Sequence, residues 1–380
     1  MRWVVQTLLL MSMLLPLAIA QSLPDEITAR MKRVTADAAP GVALLVVHQG
    51  KTLIRKTYGR AYMRTGVHIT PETTFRMASV SKQFTAAAIH RLIEQGKIRP
   101  DDTLDRFFPM LPEWSRSITI RHMLTHTSGI WDAETLLQDD DGRIIPAHPS
   151  VRAVTGVDWQ ELRQVSDADY LPLLAQTRQT YFPAGAQFRY SNTAYCLLEQ
   201  IVENVSGVSY ATFMAREFFV PLGMKHTRIY DAAARIPHRA YGYAREAGRW
   251  TFRDQSQTSA TLGDGGVYTS LADYHRWIVA MQGDRPKVNV QAWAGAVSAA
   301  AQGDGFYGAG WFFDQNGVFF HSGTTCGFSN LVVWIPQTET LFVWFSNRAD
   351  DHASAQPVLD LLRDAEILPA DVWAWHAQTQ

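Results

Sequence analysis

Ser79 and Lys82, in the run Phe75-Arg-Met-Ala-Ser-Val-Ser-Lys82, form the only Ser-x-x-Lys in the chain, since no other lysine has a serine three positions before it. Residues i and i+3 of a helix share a face. The spacing therefore sets a hydroxyl beside an amine, and an adjacent base makes an unreactive alcohol nucleophilic. Such chemistry also needs donors for a developing oxyanion and a group that protonates the leaving atom. Ser79 stands where the apolar periodicity of Val80, Phe84, Ala88 and Leu92 begins. Its backbone N–H then lies at a helix N-terminus, where negative charge is favoured. The pattern points to a serine acyl-transfer enzyme.

A second candidate lies in Phe188-Arg-Tyr190-Ser-Asn192, the only Tyr-x-Asn among 13 tyrosines, after Phe182-Pro-Ala-Gly185 and before a helical stretch. A tyrosine beside an ammonium can shuttle a proton. An asparagine amide can orient a substrate carbonyl or the lysine. A third is His321-Ser-Gly323 at the end of an expected strand. Gly323 lets a substrate lie close to the strand, and the Thr324 N–H can complete an oxyanion hole with that of Ser79.

These residues need a scaffold. Asp25 to Ala38 carries Ile27, Met31 and Val34 at amphipathic-helix spacing, and Pro40-Gly41 ends it. Val42 to Val47 and Thr52 to Thr57 read as strands joined through Gln49-Gly50. Phe306 to Phe313, Val318 to His321, Ser329 to Ile335 and Thr340 to Phe345 read as further strands, with a helix over Ala353 to Leu362. Between the ends come helices over Val80 to Leu92, stopped by Gly96; over Thr193 to Val205, stopped by Gly207; and over Ala272 to Met281. The expected α/β (α+β) architecture is one antiparallel sheet flanked by helices and built from both chain ends. A mostly helical lobe is inserted between them. The sheet lobe is placed at residues 21–75 and 295–380, the helical lobe at 76–294, and Asp139 to Ser150 as an exposed loop.

Composition is that of a globular protein, 47% hydrophobic and 19% charged over 380 residues. A formal net charge of −1 offers nothing to nucleic acid or an anionic membrane surface. Arg2, the apolar run Leu8 to Leu17 and Ala18-Ile-Ala20 before Gln21 read as a cleaved leader over residues 1–20. The expectation is an exported protein, periplasmic or secreted, with no stable membrane anchor after cleavage. An oxidising compartment permits a Cys196–Cys326 disulfide, with two buried thiols the plainer reading. His122 and His126 are four apart, but no glutamate follows His122, so a packed or capping role is preferred to zinc.

Together the three motifs resemble the class C β-lactamase-like branch of the penicillin-recognising serine hydrolases, which includes β-lactamases, D-peptidases and esterases. The likeness runs from about Val42 to Leu362. It takes in Ile120-Arg-His-Met-Leu-Thr-His-Thr-Ser-Gly129, Pro221-Leu-Gly-Met-Lys-His226, Gly263-Asp-Gly-Gly-Val-Tyr268 and Tyr307-Gly-Ala-Gly-Trp311. The resemblance implies a β-lactamase/transpeptidase-like fold with the site in a cleft between the lobes. It makes Ser79 the acylated nucleophile, Lys82 its base or electrostatic activator, Tyr190 the proton-transfer partner and Asn192 a substrate-orienting amide. The amides of Ser79 and Thr324 become the oxyanion hole.

The third motif departs from the Lys-Thr-Gly usual in β-lactamases and transpeptidases. A lysine there is a permanent cation for a substrate carboxylate. A histidine of ordinary pKa, about 6.5, is mostly neutral at pH 7. Within the family, His321 looks more like the esterase and D-peptidase members. The expectation is a hydrolase of small esters, amides or D-amino-acid peptides that uses no metal or organic cofactor, with β-lactams or D-Ala-D-Ala substrates second. A binding or sensing protein on the same fold is the alternative of another class.

Overall fold

Val42–His48 (β1) is a continuous apolar run, buried along all but its last residue. A strand of that kind needs cover on both faces. The computed structural model describes residues 23–33, 35–137, 152–154, 162–283, 305–349 and 351–369. The expected leader and the expected loop at Asp139 to Ser150 lie outside them. Helix α1 spans residues 23–33, ends before the expected Ala38, and buries Ile27 and Met31 of the expected face together with Leu23, while Val34 lies outside the described residues.

Six more strands join β1: Lys51–Tyr58 (β2), Gly305–Gly308 (β3), Trp311–Asp314 (β4), Phe319–Thr325 (β5), Phe328–Ile335 (β6) and Thr340–Ser346 (β7). They form one sheet in the order β3-β4-β5-β6-β7-β1-β2, antiparallel throughout. The N-terminal strand thus sits inside the sheet, with Val42 opposite Ser346 and Val47 opposite Leu341. Edge strand β2 exposes Lys51, Lys56 and Arg55, charges that discourage edge-to-edge pairing. The expected single strand from Phe306 to Phe313 is a hairpin instead. Ala309 (φ 51°) and Gly310 (φ 82°) turn the chain back between β3 and β4. A side chain on Gly310 would collide with the backbone of Gln83, so the tight turn lets this hairpin rest on the helix that follows Ser79.

Four long helices follow: Lys82–Glu94 (α2), Asn192–Ser206 (α3), Leu271–Gln282 (α4) and His352–Asp364 (α5). The Ser191 hydroxyl caps α3 by accepting from Ala194 N at 3.1 Å, and Gly207 ends it at φ 73°. Helix α4 packs on β1, α5 on β6, and α2 on α3. Phe84 of α2 stacks on Trp277 of α4 at 4.3 Å between ring centroids. Trp277, Trp311, Trp334 and Trp344 are fully buried, so these tryptophans are core.

Short strands that the sequence pattern does not announce lie between the helices. Thr74–Arg76, Val267–Ser270 and Arg228–Ile229 make a small sheet with Val267–Ser270 in the middle. It leads the chain directly into the segment that carries Ser79. Among the described residues, no helix is long and apolar enough to cross a membrane.

Candidate active site

Ser79 lies in a single 3-10 turn, Ala78–Ser81, that runs straight into α2. Three hydrogen bonds from two strands fasten the turn. Met77 N donates to Val267 O at 2.9 Å, and Val267 N returns a bond to Ser81 Oγ at 3.0 Å. Asn330 Nδ2, from β6, donates to Arg76 O at 2.9 Å. Ala78, just before the serine, is held at φ 49°. A left-handed alanine costs about 1–3 kcal/mol and persists only where its surroundings enforce it.

Lys82 is wholly buried, 0% exposed. Its Nζ lies 3.1 Å from Ser79 Oγ, 2.8 Å from Asn192 Oδ1 and 3.1 Å from the carbonyl oxygen of Asp264. Two of these partners can only accept. A neutral amine in this cradle donates to Asn192 and Asp264 and turns its lone pair toward the Ser79 hydroxyl. A charged one donates to all three. The same geometry accommodates both ends of a proton transfer.

Tyr190 approaches Lys82 with its ring, whose centroid is 4.8 Å from Nζ. Its hydroxyl oxygen is buried and has no hydrogen-bond partner among the described residues. The ring packs on His126 (4.2 Å between centroids) and parallel to Phe312 (6.2 Å). His126 is fully buried and backs the tyrosine. Its Nδ1 accepts from Ser191 N at 3.1 Å, so a neutral ring carries its proton on Nε2. Burial first, then the charges of Lys82 and His321, hold His126 well below the ordinary histidine pKa. His122 makes a different bond, with its Nδ1 accepting from Thr119 N at 3.2 Å as part of a capping box.

Strand β5 closes the other side. A Cβ on Gly323 would overlap the Met77 carbonyl oxygen and come within 3.2 Å of Ser79 N. Only glycine lets β5 lie this close to the serine. Thr324, the next residue, is exposed on the same strand, opposite Ser329. His321 faces inward, 1% exposed. Its Nδ1 is 2.6 Å from Ser322 O, which can only accept, and its Nε2 is 3.1 Å from Tyr307 Oη. The neutral ring therefore donates through Nδ1 and accepts the Tyr307 hydroxyl proton at Nε2.

The structure thus brings Ser79, Lys82 and Asn192 into one hydrogen-bonded group, with Tyr190 and Gly323 against it. His321 is set in the wall behind, and both thiols are free. Two contributors were not read from the sequence. Asp264 acts on Lys82 through its carbonyl, which no side-chain pattern announces. Tyr307 holds His321, although its Tyr-Gly-Ala-Gly-Trp run is visible in the sequence.

A model described as Beta-lactamase matches residues 25–366. The chain belongs to the Beta-lactamase family. It is accordingly a serine hydrolase with the β-lactamase/transpeptidase-like fold. It is 29% identical over 337 residues to Penicillin-binding protein 4* of Bacillus subtilis (strain 168), covering 83% of this chain and 70% of that protein. It spans 59% of the length of Protein flp of Staphylococcus aureus (strain COL). The fold is also that of EstCE1, described as a hydrolase with promiscuous acyltransferase activity. That match has a TM-score of 0.71 and 21% identity over 92% of this chain and 99% of the other. The D-amino acid amidase of Ochrobactrum anthropi SV3 superposes with a TM-score of 0.66 and 20% identity, covering 92% and 99%.

Proposed function

We propose that this Beta-lactamase family member is an exported hydrolase of small esters or of amides such as D-amino-acid peptides, acting through an acyl-enzyme on Ser79. The observation that carries the reading is Lys82 Nζ at 3.1 Å from Ser79 Oγ, with its other two bonds tied to Asn192 and the Asp264 carbonyl. Ser79 Oγ attacks the substrate carbonyl while its proton passes to Lys82. The amides of Ser79 and Thr324 receive the oxyanion, and Tyr190 relays a proton to the leaving group. Water then releases the acyl group, and Asn192 orients both Lys82 and the substrate.

Preference for esters and D-amides over β-lactams rests on the third motif. His321 is buried with both ring nitrogens hydrogen-bonded, so it offers no open cation to a substrate carboxylate. The second reading, a β-lactamase or D-Ala-D-Ala carboxypeptidase, draws support from the likeness to Penicillin-binding protein 4*. Export rests on the leader-like residues 1–20 alone.

Turnover of a chromogenic short-chain ester and a chromogenic cephalosporin, by the mature protein and by Ser79→Ala, separates these readings. Ester cleavage that falls by about 10³-fold or more in Ser79→Ala, with slow cephalosporin loss, is expected. Full activity in that variant refutes the site, and rapid Ser79-dependent cephalosporin loss makes the enzyme a β-lactamase. No turnover of either, with no covalent labelling of Ser79 by a fluorophosphonate, leaves a binding protein.

A further inference from the structure

The Tyr190 hydroxyl has no hydrogen-bond partner among the described residues, so its place is set by whatever grips the ring and the backbone on either side. His126 grips both. Its carbonyl oxygen accepts from Arg189 N at 2.8 Å, and its Nδ1 accepts from Ser191 N at 3.1 Å. Tyr190 lies between those two bonds, with its ring 4.2 Å from the imidazole between centroids. The other rings around it stand farther off: Tyr307 at 6.0 Å, Phe312 at 6.2 Å and His321 at 6.3 Å.

Both ends of this grip are anchored. His126 follows the helical turn Ile120–Leu124, donates its own N–H to Met123 O at 3.3 Å and is 0% exposed. Ser191 caps α3, so the bond from its N–H ties His126 to the start of that helix.

The residue type and its backbone are both unusual for a packing role. His126 sits at φ 57°, in the left-handed region that residues with a Cβ seldom adopt. Strain of that kind persists only where the surroundings enforce it, and functional sites collect it. His126 Nε2 is also buried without a partner among the described residues. A leucine would fill similar space without an orphaned N–H. What leucine lacks is an acceptor for Ser191 N, and that atom distinguishes histidine here.

We propose that His126 is the positioning residue for Tyr190, clamping residues 189–191 so that the Tyr190 hydroxyl is aimed at the leaving atom of the substrate. The inference rests on the reading of Ser79 as nucleophile and Tyr190 as proton relay. As Ser79 Oγ bonds to the carbonyl carbon, its proton passes to Lys82. A proton then moves from Lys82 by way of Tyr190 to the leaving oxygen as the carbon–oxygen bond breaks. His126 exchanges no proton and touches no substrate. A displaced Tyr190 therefore slows the step that protonates the leaving group. An alkoxide needs that proton, whereas a nitrophenolate departs as the anion.

The test compares ethyl butyrate with p-nitrophenyl butyrate on the mature protein, His126→Leu and His126→Asn, each also in a Tyr190→Phe background. The esters share one acyl group, so their difference in kcat/KM reports acylation. His126→Leu should lower kcat/KM about 10²-fold for ethyl butyrate and less than about 5-fold for the nitrophenyl ester. Asparagine tolerates positive φ and can accept from Ser191 N, so His126→Asn should recover about 10-fold of that loss. Beside Tyr190→Phe, neither His126 variant should lower ethyl butyrate cleavage by more than about 2-fold, because the residue it positions is already silenced. If circular dichroism shows that His126→Leu does not fold, His126→Asn carries the comparison, and wild-type kcat/KM in it then overturns the inference. Equal losses on the two esters, or losses that multiply beside Tyr190→Phe, overturn the inference and leave the acyl-enzyme reading standing. Undiminished ethyl butyrate cleavage by Tyr190→Phe overturns the relay and the inference together.

Discussion

Asn192 Oδ1 accepts from Lys82 Nζ at 2.8 Å across 110 residues of sequence. The bond ties the first residue of α3 to the first residue of α2, and so makes the packing of two helices a condition for placing the amine. Replacement of Asn192 by Leu leaves the buried amine with two partners. Loss of a hydrogen bond to a charged group costs about 1.5–3 kcal/mol of stability, seen by chemical denaturation. Misplacement of the amine lowers kcat/KM for the ester by about 10²-fold. Unchanged kcat/KM would show that Ser79 needs no such support.

Tyr190→Phe should separate activity from stability. The hydroxyl is buried and has no partner among the described residues, so its removal leaves stability unchanged or raises it by about 1–3 kcal/mol. Proton relay to the leaving group is lost, and kcat falls by about 10²–10⁴-fold. A variant with full kcat would remove Tyr190 from the chemistry.

Gly323→Ala drives a methyl group into the Met77 carbonyl and toward Ser79 N. The strand must move away from the serine, at a cost of about 1–3 kcal/mol in stability. If Ser79 N and Thr324 N form the oxyanion hole, kcat falls by about 10²–10³-fold. A stability loss with normal kcat would place the hole elsewhere.

Acid affects stability through two opposed sets of groups. Burial lowers His90 from 6.5 to about 3, so between those values the unfolded chain binds a proton that the folded one refuses. His126 acts in the same direction. Acidification through that window destabilises the fold. Glu134, raised from 4.5 to about 7, works in reverse, because the folded chain keeps a proton that the unfolded chain releases. Acidification from pH 7 toward 4.5 therefore stabilises through Glu134. In denaturant titrations, His90→Gln should make stability rise more, or fall less, than wild type from pH 7 to 5. Glu134→Gln should do the opposite. The reverse order would contradict both assignments.

Much of the sheet could be read in advance because β1, β6 and β7 carry the apolar runs Val42 to Val47, Leu331 to Ile335 and Leu341 to Phe345 between clear turns. Helix α3 showed its C-terminal end in Gly207, while its start at Asn192 came one residue before the expected Thr193. Ser79, Lys82, Tyr190 and Asn192 were visible as side-chain types at telling spacings. The hairpin at Ala309-Gly310 was not foreseen, because an alanine at positive φ carries no mark in the sequence. The carbonyl of Asp264 was invisible for a related reason, since every residue has one. His321 looked like a lining residue, and only its bonds to Tyr307 and Ser322 turn it into the wall.

The pairing of Val42 with Ser346 has a consequence for the life of the chain before it is finished. Strand β1 leaves the ribosome early, but its neighbour β7 and the β5 segment beside Ser79 are made almost last. Until they arrive, β1 has only β2 to pair with, and the serine has no Gly323 strand behind it. A prematurely terminated chain carries Ser79 without its setting, so the site exists only in a chain that has both of its ends.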